Sequence, residues 1–208
     1  TQNLVLGLLL GGVYALAASG LTLIFGVMRV INIAHGAFLI LGSFVAYSLF
    51  AWLGIAPFLG VLITAGIVFV VGWVLYGLVV SPLRGAPISS TVLLTFGVAI
   101  ALEAVMGWIW GNDSTAIRPG YVDESFSLGA LFIPKAQLFG GLTAVVVLAA
   151  LWLVLTRTWL GRAIRAAAIN PAGAELVGIK VSKVSSLVFG MGLAAAGAGA
   201  GHRPRRGD

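Results

Sequence analysis

The sequence has few charged residues and no cysteine. Only 9% of its 208 residues are charged, while 60% are hydrophobic. A soluble domain carries about a quarter charged residues, which cover its surface. This composition therefore excludes an ordinary soluble enzyme, and its high hydrophobicity excludes a disordered chain. The absence of cysteine excludes a disulfide scaffold, thiol catalysis and cysteine metal sites.

Long apolar runs fill most of the chain. Between Arg29 and Arg84 there is no formally charged residue, a distance sufficient for two membrane crossings. Gly54 and Pro57 divide this stretch, because glycine ends helices and proline begins them. The sequence predicts an all-α, polytopic transmembrane helical bundle of about six spans, at about 4–27, 36–53, 57–80, 91–111, 137–156 and 185–201.

The basic residues indicate how the spans are oriented. The links after the first, third and fifth segments hold seven Lys or Arg residues: Arg29, Arg84, Arg157, Arg162, Arg165, Lys180 and Lys183. The opposite links, 54–56 and 112–136, hold only Arg118 and Lys135. Because basic residues concentrate on the cytoplasmic side, the first set is predicted to be cytoplasmic and the amino terminus outside. The net charge of +6 then reflects topology, and we expect no nucleic-acid partner.

Residues 202–208 break this charge pattern. They form an atypical basic tail with three arginines on the predicted outer side. We interpret the tail as a truncated or frame-shifted end, and the alternative is a cytoplasmic tail after an incomplete span.

Small residues recur at helical spacing in the first and last segments. The first has Gly7, Gly11, Ala15 and Ser19, and the last has Gly190, Ala194 and Ala198, with Gly192, Ala196 and Ala200 beside them. Membrane helices associate through close contacts between such residues. Both segments are therefore predicted to lie inside the bundle, either for packing alone or along a substrate path.

Two polar features stand out within the apolar sequence. Asn32, His35 and Gly36 interrupt the region between the first two segments. They form either a cytoplasmic turn in which Asn32 caps the second helix, or a broken segment that faces a translocation path. Glu103 is the only acidic residue in the middle of a span. It is a candidate pathway residue, and its alternative role is a structural hydrogen bond to a neighbouring helix.

Residues 157–184 are predicted to form a cytoplasmic loop with two short helices. Arg162, Ala163, Arg165 and Ala168 belong to the first helix. Asn170 is placed to cap the second, with Pro171 at its first position and Gly178 at its end. A basic, small-residue surface outside the membrane is typical of docking onto a soluble partner.

Three stretches, in order, resemble one family. GRAIRAAAINPAGAELVGI at 161–179 resembles the cytoplasmic coupling loop of ABC importer permeases in its branched-chain amino acid form. INIAHGAFLILGSFVAY at 31–47 and PLRGAP at 82–87 are similar to the same family. The sequence is therefore identified as resembling the permease subunit of a high-affinity branched-chain amino acid ABC importer, with a transmembrane permease domain over 1–201.

The resemblance implies a multi-pass protein of the bacterial inner membrane that works in a complex. Its expected partners are two cytoplasmic ATP-binding subunits, a second homologous permease and an extracytoplasmic solute-binding protein. It implies coupling to the ATPase through Gly161, Arg162, Ala163, Arg165, Ala168, Asn170, Pro171 and Gly178, and a pathway near Asn32, His35 and Gly36. We expect no cofactor and no metal, and no enzymatic activity, because the GxxxxGK[ST] phosphate loop is absent from the sequence.

Two alternatives remain at this stage. A self-contained channel or secondary carrier for a small polar solute needs coupled ionisable groups within the spans, and Glu103 stands alone. A membrane scaffold needs only the Gly/Ala packing faces. Family members continue beyond the sixth span, so we expect this chain to be a fragment.

Overall fold

A computed structural model describes residues 2–83, 85–111, 125–128 and 131–200. Six helices in these ranges are long and apolar enough to cross a membrane, which confirms the predicted bundle. They are α1 (Gln2–Met28), α2 (His35–Leu53), α3 (Pro57–Leu75), α4 (Ile88–Trp110), α5 (Lys135–Arg157) and α8 (Val181–Ala200). Two short helices, α6 (Trp159–Ile169) and α7 (Pro171–Leu176), lie between α5 and α8. The predicted tail at 202–208 lies outside the described residues.

The third span does not stay α-helical to its end. α3 continues into a π-helical turn, Tyr76–Val80, and then a 3-10 turn, Ser81–Leu83. Tyr76 and Val80 are buried, and the Tyr76 ring packs at a tilt against Phe189 of α8 with 5.8 Å between ring centroids. Such π-helical turns are uncommon and favour functional sites.

A short β-hairpin, which the sequence did not predict, precedes α5. Strand β1 (Ser125–Leu128) pairs antiparallel with β2 (Leu131–Pro134), and Phe126 stands opposite Ile133. The side-chain amide of Gln2 donates to the carbonyl of Phe132 at 3.2 Å. The hairpin therefore lies at the end of the bundle where α1 begins.

Helix α8 forms the centre of the bundle and packs against α1, α2 and α3. A Cβ atom on Gly20 would collide with the carbonyl oxygen of Gly192, and one on Gly42 would collide with the backbone of Gly197. The small residues predicted to face the interior in α8 do so at Gly190, Gly192, Ala196 and Ala198.

The small-residue face predicted for α1 is wrong within this chain. Gly7, Gly11 and Ala15 are exposed, and a Cβ on either glycine would meet nothing within 4 Å. The buried side of α1 carries Leu16, Ala17, Gly20 and Ile24 instead. An evenly apolar helix gives no signal of which face is inside, because lipid accepts every face equally well.

Candidate functional site

Helices α6 and α7 form a compact projection beyond the spans. The Thr158 hydroxyl accepts the Gly161 N–H at 3.1 Å and caps α6. The Asn170 side chain accepts the Gly173 N–H at 3.0 Å, Pro171 occupies the first helical position of α7, and Gly178 has a φ of +85° just beyond it. The predicted cap, helix start and terminating glycine are thus confirmed.

The inner side of this projection is packed against the bundle. Gly161 allows α6 to approach the end of α5 so closely that a Cβ would collide with the Leu155 carbonyl. Ala163, Ile164 and Ala167 are buried in a cluster with α7 and the start of α8. Gly161 and Ala163, two of the residues predicted to couple to the ATPase, are therefore buried against the bundle, and their part in coupling stays a prediction.

The outer side is exposed and partly apolar. Ile169, Leu176 and Val177 are 82%, 89% and 76% exposed. The predicted residues Arg162, Asn170, Pro171 and Gly178 are also exposed, and Ala168 is half-buried. Arg165 is exposed too, but its guanidinium donates to the Leu155 carbonyl and so secures α6 to α5. These apolar residues were not predicted as a surface, because Ile, Leu and Val in a mostly apolar sequence do not indicate whether they are exposed.

The link between α1 and α2 turns back into the bundle. It begins at Arg29, whose φ of +53° lies in the left-handed region. The first residue of α2, His35, donates from Nε2 to the Ala17 carbonyl at 3.0 Å. Ala17 lies eleven residues before Met28, which is about 16 Å along α1. Helix α2 therefore starts deep inside the bundle rather than at its end.

The unwound backbone of this link is satisfied by α4. The hydroxyl of Thr95 donates to the Ile31 carbonyl at 3.1 Å and accepts the Ile33 N–H at 3.2 Å. Thr95 is seven residues into α4, about 10 Å from its start, which is a second sign that the link is deep. Irregular backbone at such depth occurs where protein or a water-filled cavity satisfies it. No sequence pattern singled out Thr95.

The alternative of a simple turn capped by Asn32 is wrong. The residue at the cap position of α2 is Ala34, and no side chain caps this helix. Asn32 is buried, with neither side-chain atom hydrogen-bonded within the described ranges. Asn32 and His35 thus lie together in the interior, and Gly36 next to them is exposed.

Glu103 is not part of this group. It lies eight residues beyond Thr95, about 12 Å further along α4, and is exposed. The structure therefore brings together three of the four predicted pathway residues. Among the described residues, no group of three or more His, Asp or Glu could hold a metal ion.

A cleft of about 390 Å³ lies between the α6–α7 projection and the link that joins α1 to α2. Met28, Arg29, Tyr76, Val80, Ala167 and Pro171 are among its lining residues. The first residues of the link, Arg29 and Val30, therefore meet the π-helical turn and the α6–α7 projection at one end of the bundle, opposite the hairpin.

Comparison with known proteins agrees with this architecture. Residues 3–204 match a family described as the permease component of branched-chain amino acid transport systems. No solved structure matches the chain.

Three curated relatives are similar along most of their length. BraD of Pseudomonas aeruginosa, a high-affinity branched-chain amino acid transport system permease protein, is 30% identical over 94% of this chain and 67% of its own. LivH of Escherichia coli K12 is 27% identical with the same coverage, and the probable LivH of Methanocaldococcus jannaschii is 31% identical over 91% of this chain and 61% of its own. With six candidate spans among its described residues and a family match over nearly its whole length, the chain belongs to the permease family of branched-chain amino acid transport systems.

Proposed function

We propose that this chain is the subunit of an ABC importer that carries branched-chain or related amino acids across the bacterial inner membrane. Two cytoplasmic ATP-binding subunits drive it, a second homologous permease completes the pathway, and an extracytoplasmic binding protein delivers the substrate. This chain performs no ATP hydrolysis itself. Family membership supports the proposal, and the exposed apolar surface of α6 and α7 is the structural observation that carries it.

The apolar surface on α6–α7 consists of Ile169, Leu176 and Val177. Leaving large apolar side chains in water is unfavourable by roughly 1.5–3 kcal/mol each compared with burial. Their helices lie beyond the spans, so a soluble partner is the natural cover for them. Because the opposite side of α6 is packed against α1, α5 and α8, a force applied here is transmitted to the bundle.

The proposed orientation places this projection in the cytoplasm and the amino terminus outside. Met28–Val30, Leu83 and Ala167 line the same cleft, which groups the basic links at one end. The excess of Lys and Arg in those links supports a cytoplasmic location. Because the sequence contains no cysteine, single-cysteine variants can test this by labelling from one side of the membrane.

The key experiment is co-purification of an ATP-binding subunit with the Leu176→Asp/Val177→Asp double variant. Loss of an apolar anchor of about 2 kcal/mol weakens the affinity roughly thirtyfold, so we expect recovery of the ATP-binding subunit to fall. Phe132→Asp, which changes an exposed residue of the hairpin at the opposite end, is the matched control and should co-purify normally. Equal recovery with both variants would argue against docking at α6–α7.

Uptake in reconstituted vesicles tests the alternative of a self-contained carrier. The proposal requires leucine uptake to stop when the ATP-binding subunits are omitted. Continued uptake without them would support the channel or carrier.

A further inference from the structure

The amino-terminal end of α2 has unpaired hydrogen-bond donors. No side chain caps this helix, and the N–H groups of Gly36 and Ala37 have no partner among the described residues. A helix start also carries a partial positive charge from the aligned peptide dipoles. Together these features favour a negatively charged group.

Two side chains beside these donors are buried and incompletely paired. Asn32 is 3% exposed, and both its Oδ1 and Nδ2 lack a partner in the described part of the chain. His35 is 7% exposed and uses Nε2 on the Ala17 carbonyl, while its Nδ1 has no partner. A buried polar atom without a hydrogen bond costs roughly 1–3 kcal/mol, so these atoms call for a role other than packing.

The unpaired donors and acceptors at the start of α2 together match the two charged groups of an amino acid. Since the Ala17 carbonyl can only accept, Nε2 carries the proton, and Nδ1 of a neutral imidazole is then an acceptor. The donors are the Gly36 and Ala37 N–H groups and Asn32 Nδ2, and the acceptors are Asn32 Oδ1 and His35 Nδ1. An α-amino acid presents one carboxylate and one ammonium group, which require donors and acceptors respectively.

Apolar surface lies next to this polar set. Ile31 and Ile33 are each 44% exposed on either side of Asn32 in the sequence, and Ile40 is exposed one turn after Gly36. A Cβ on Gly36 would meet nothing within 4 Å, so this side of the helix start is open. An aliphatic side chain can rest there while its polar end approaches the helix.

We propose that the start of α2, with Asn32 and His35, binds the carboxylate and ammonium groups of the transported amino acid during its passage. This inference rests on the proposed function and adds the place and the chemical groups recognised. Asn32 and His35 are covered in this conformation, so the 29–34 link must shift to admit the substrate. Arg29 and Val30 of that link line the cleft beside α6 and α7, through which the shift can be driven.

The experiment uses Gly36→Cys in the assembled transporter, where it is the only cysteine of this chain. A charged methanethiosulfonate reagent should modify it, and L-leucine at about ten times its half-protecting concentration should slow modification about tenfold. Leucinamide, which lacks the carboxylate, and 4-methylpentanoate, which lacks the ammonium group, should protect much less. Phe132→Cys in the exposed hairpin at the opposite end of the bundle is the control, and leucine should leave its modification rate unchanged.

A second substitution separates binding from folding. Asn32→Leu in the Gly36→Cys background has similar volume and removes no observed hydrogen bond of the side chain. It should abolish protection by leucine and leave the thermal unfolding temperature unchanged. A lower unfolding temperature with protection retained would show a structural role instead. Asn32→Ala provides an independent check of both the protection by leucine and the thermal unfolding temperature.

The outcomes distinguish this inference from the proposed function. Leucine uptake by the assembly without protection of Gly36→Cys, or with no modification of it at all, would overturn the inference and leave the importer intact. Protection by leucine in an assembly that shows no ATP-dependent leucine uptake would preserve the site and overturn the importer.

Discussion

Helices α8 and α4 are similar in length but differ in hydropathy and in burial. The two differences run in opposite directions. The mean hydropathy of α8 is lower than that of α4. Yet α8 is mostly buried within the chain, whereas α4 is mostly exposed. The less apolar helix occupies the interior. In a membrane, apolar side chains lose nothing by facing lipid, so burial follows the ability to pack closely rather than hydropathy.

The packing of the two helices shows the physical cause. α8 contacts its neighbours backbone to backbone through Gly190, Gly192 and Gly197. Helix α4 is held along one side only, where Thr91, Thr95, Ala99 and Met106 are buried. Near its end, Trp110 stacks on Phe44 of α2 and donates to the Ser48 hydroxyl at 2.8 Å. The packing of α8 thus depends on glycines that lack a side chain, whereas the packing of α4 depends on a few specific side-chain contacts.

The largest effect should come from Gly192→Ala in α8. The new Cβ would lie 2.6 Å from both the Gly20 carbonyl oxygen and a side-chain carbon of Ile24, and the backbone cannot yield cheaply. We expect the free energy of unfolding to fall by about 2–3 kcal/mol, as for overpacked cores. Denaturant titration in detergent measures it. Normal stability would show that α8 is not tightly packed.

A smaller loss should follow Thr95→Val, which tests the contact side of α4. Valine keeps the shape but leaves the Ile31 carbonyl and the Ile33 N–H unpaired, at a cost of about 1–3 kcal/mol. Amide exchange at Ile33 should accelerate as well. The control is Thr22→Val, where only a local bond to the Ala18 carbonyl is lost on an exposed surface. Similar losses in both variants would mean that Thr95 does not hold the link.

The smallest effect, with the opposite sign, should come from Gly97→Ala on the exposed side of α4. No atom lies within 4 Å of the added Cβ, and alanine favours a helix over glycine. The isolated chain should gain about 0.5–1 kcal/mol. Thermal unfolding in detergent measures this. A clear destabilisation would show that this side of α4 is packed after all.

Local sequence signals predicted the elements well. The six spans begin and end close to the expected residues, because hydropathy, proline and glycine act over a few positions. Asn170, Pro171 and Gly178 likewise marked α7, since capping depends on neighbouring backbone alone. The hairpin before α5 carried no comparable signal.

Tertiary relations were less accessible from the sequence. The polar character of Asn32 and His35 suggested a site, but their depth follows from the bond of His35 to Ala17 and from the bonds of the neighbouring Ile31 and Ile33 to Thr95. The exposure of Glu103 and of Gly7 and Gly11 depends on how each helix is rotated in the bundle. The rotation of each helix is set by its packing against neighbouring helices. A uniformly apolar sequence does not indicate which face of the helix will pack.

The π-helical turn at Tyr76–Val80 has a consequence for how the third span can respond to force. Such a turn contains one residue more than an α-helical turn. If it tightened to α-helical geometry, everything after it would rotate by about 100° and advance by about 1.5 Å. The turn and the α6–α7 projection line the same cleft, so such a rotation would take place next to the proposed docking surface.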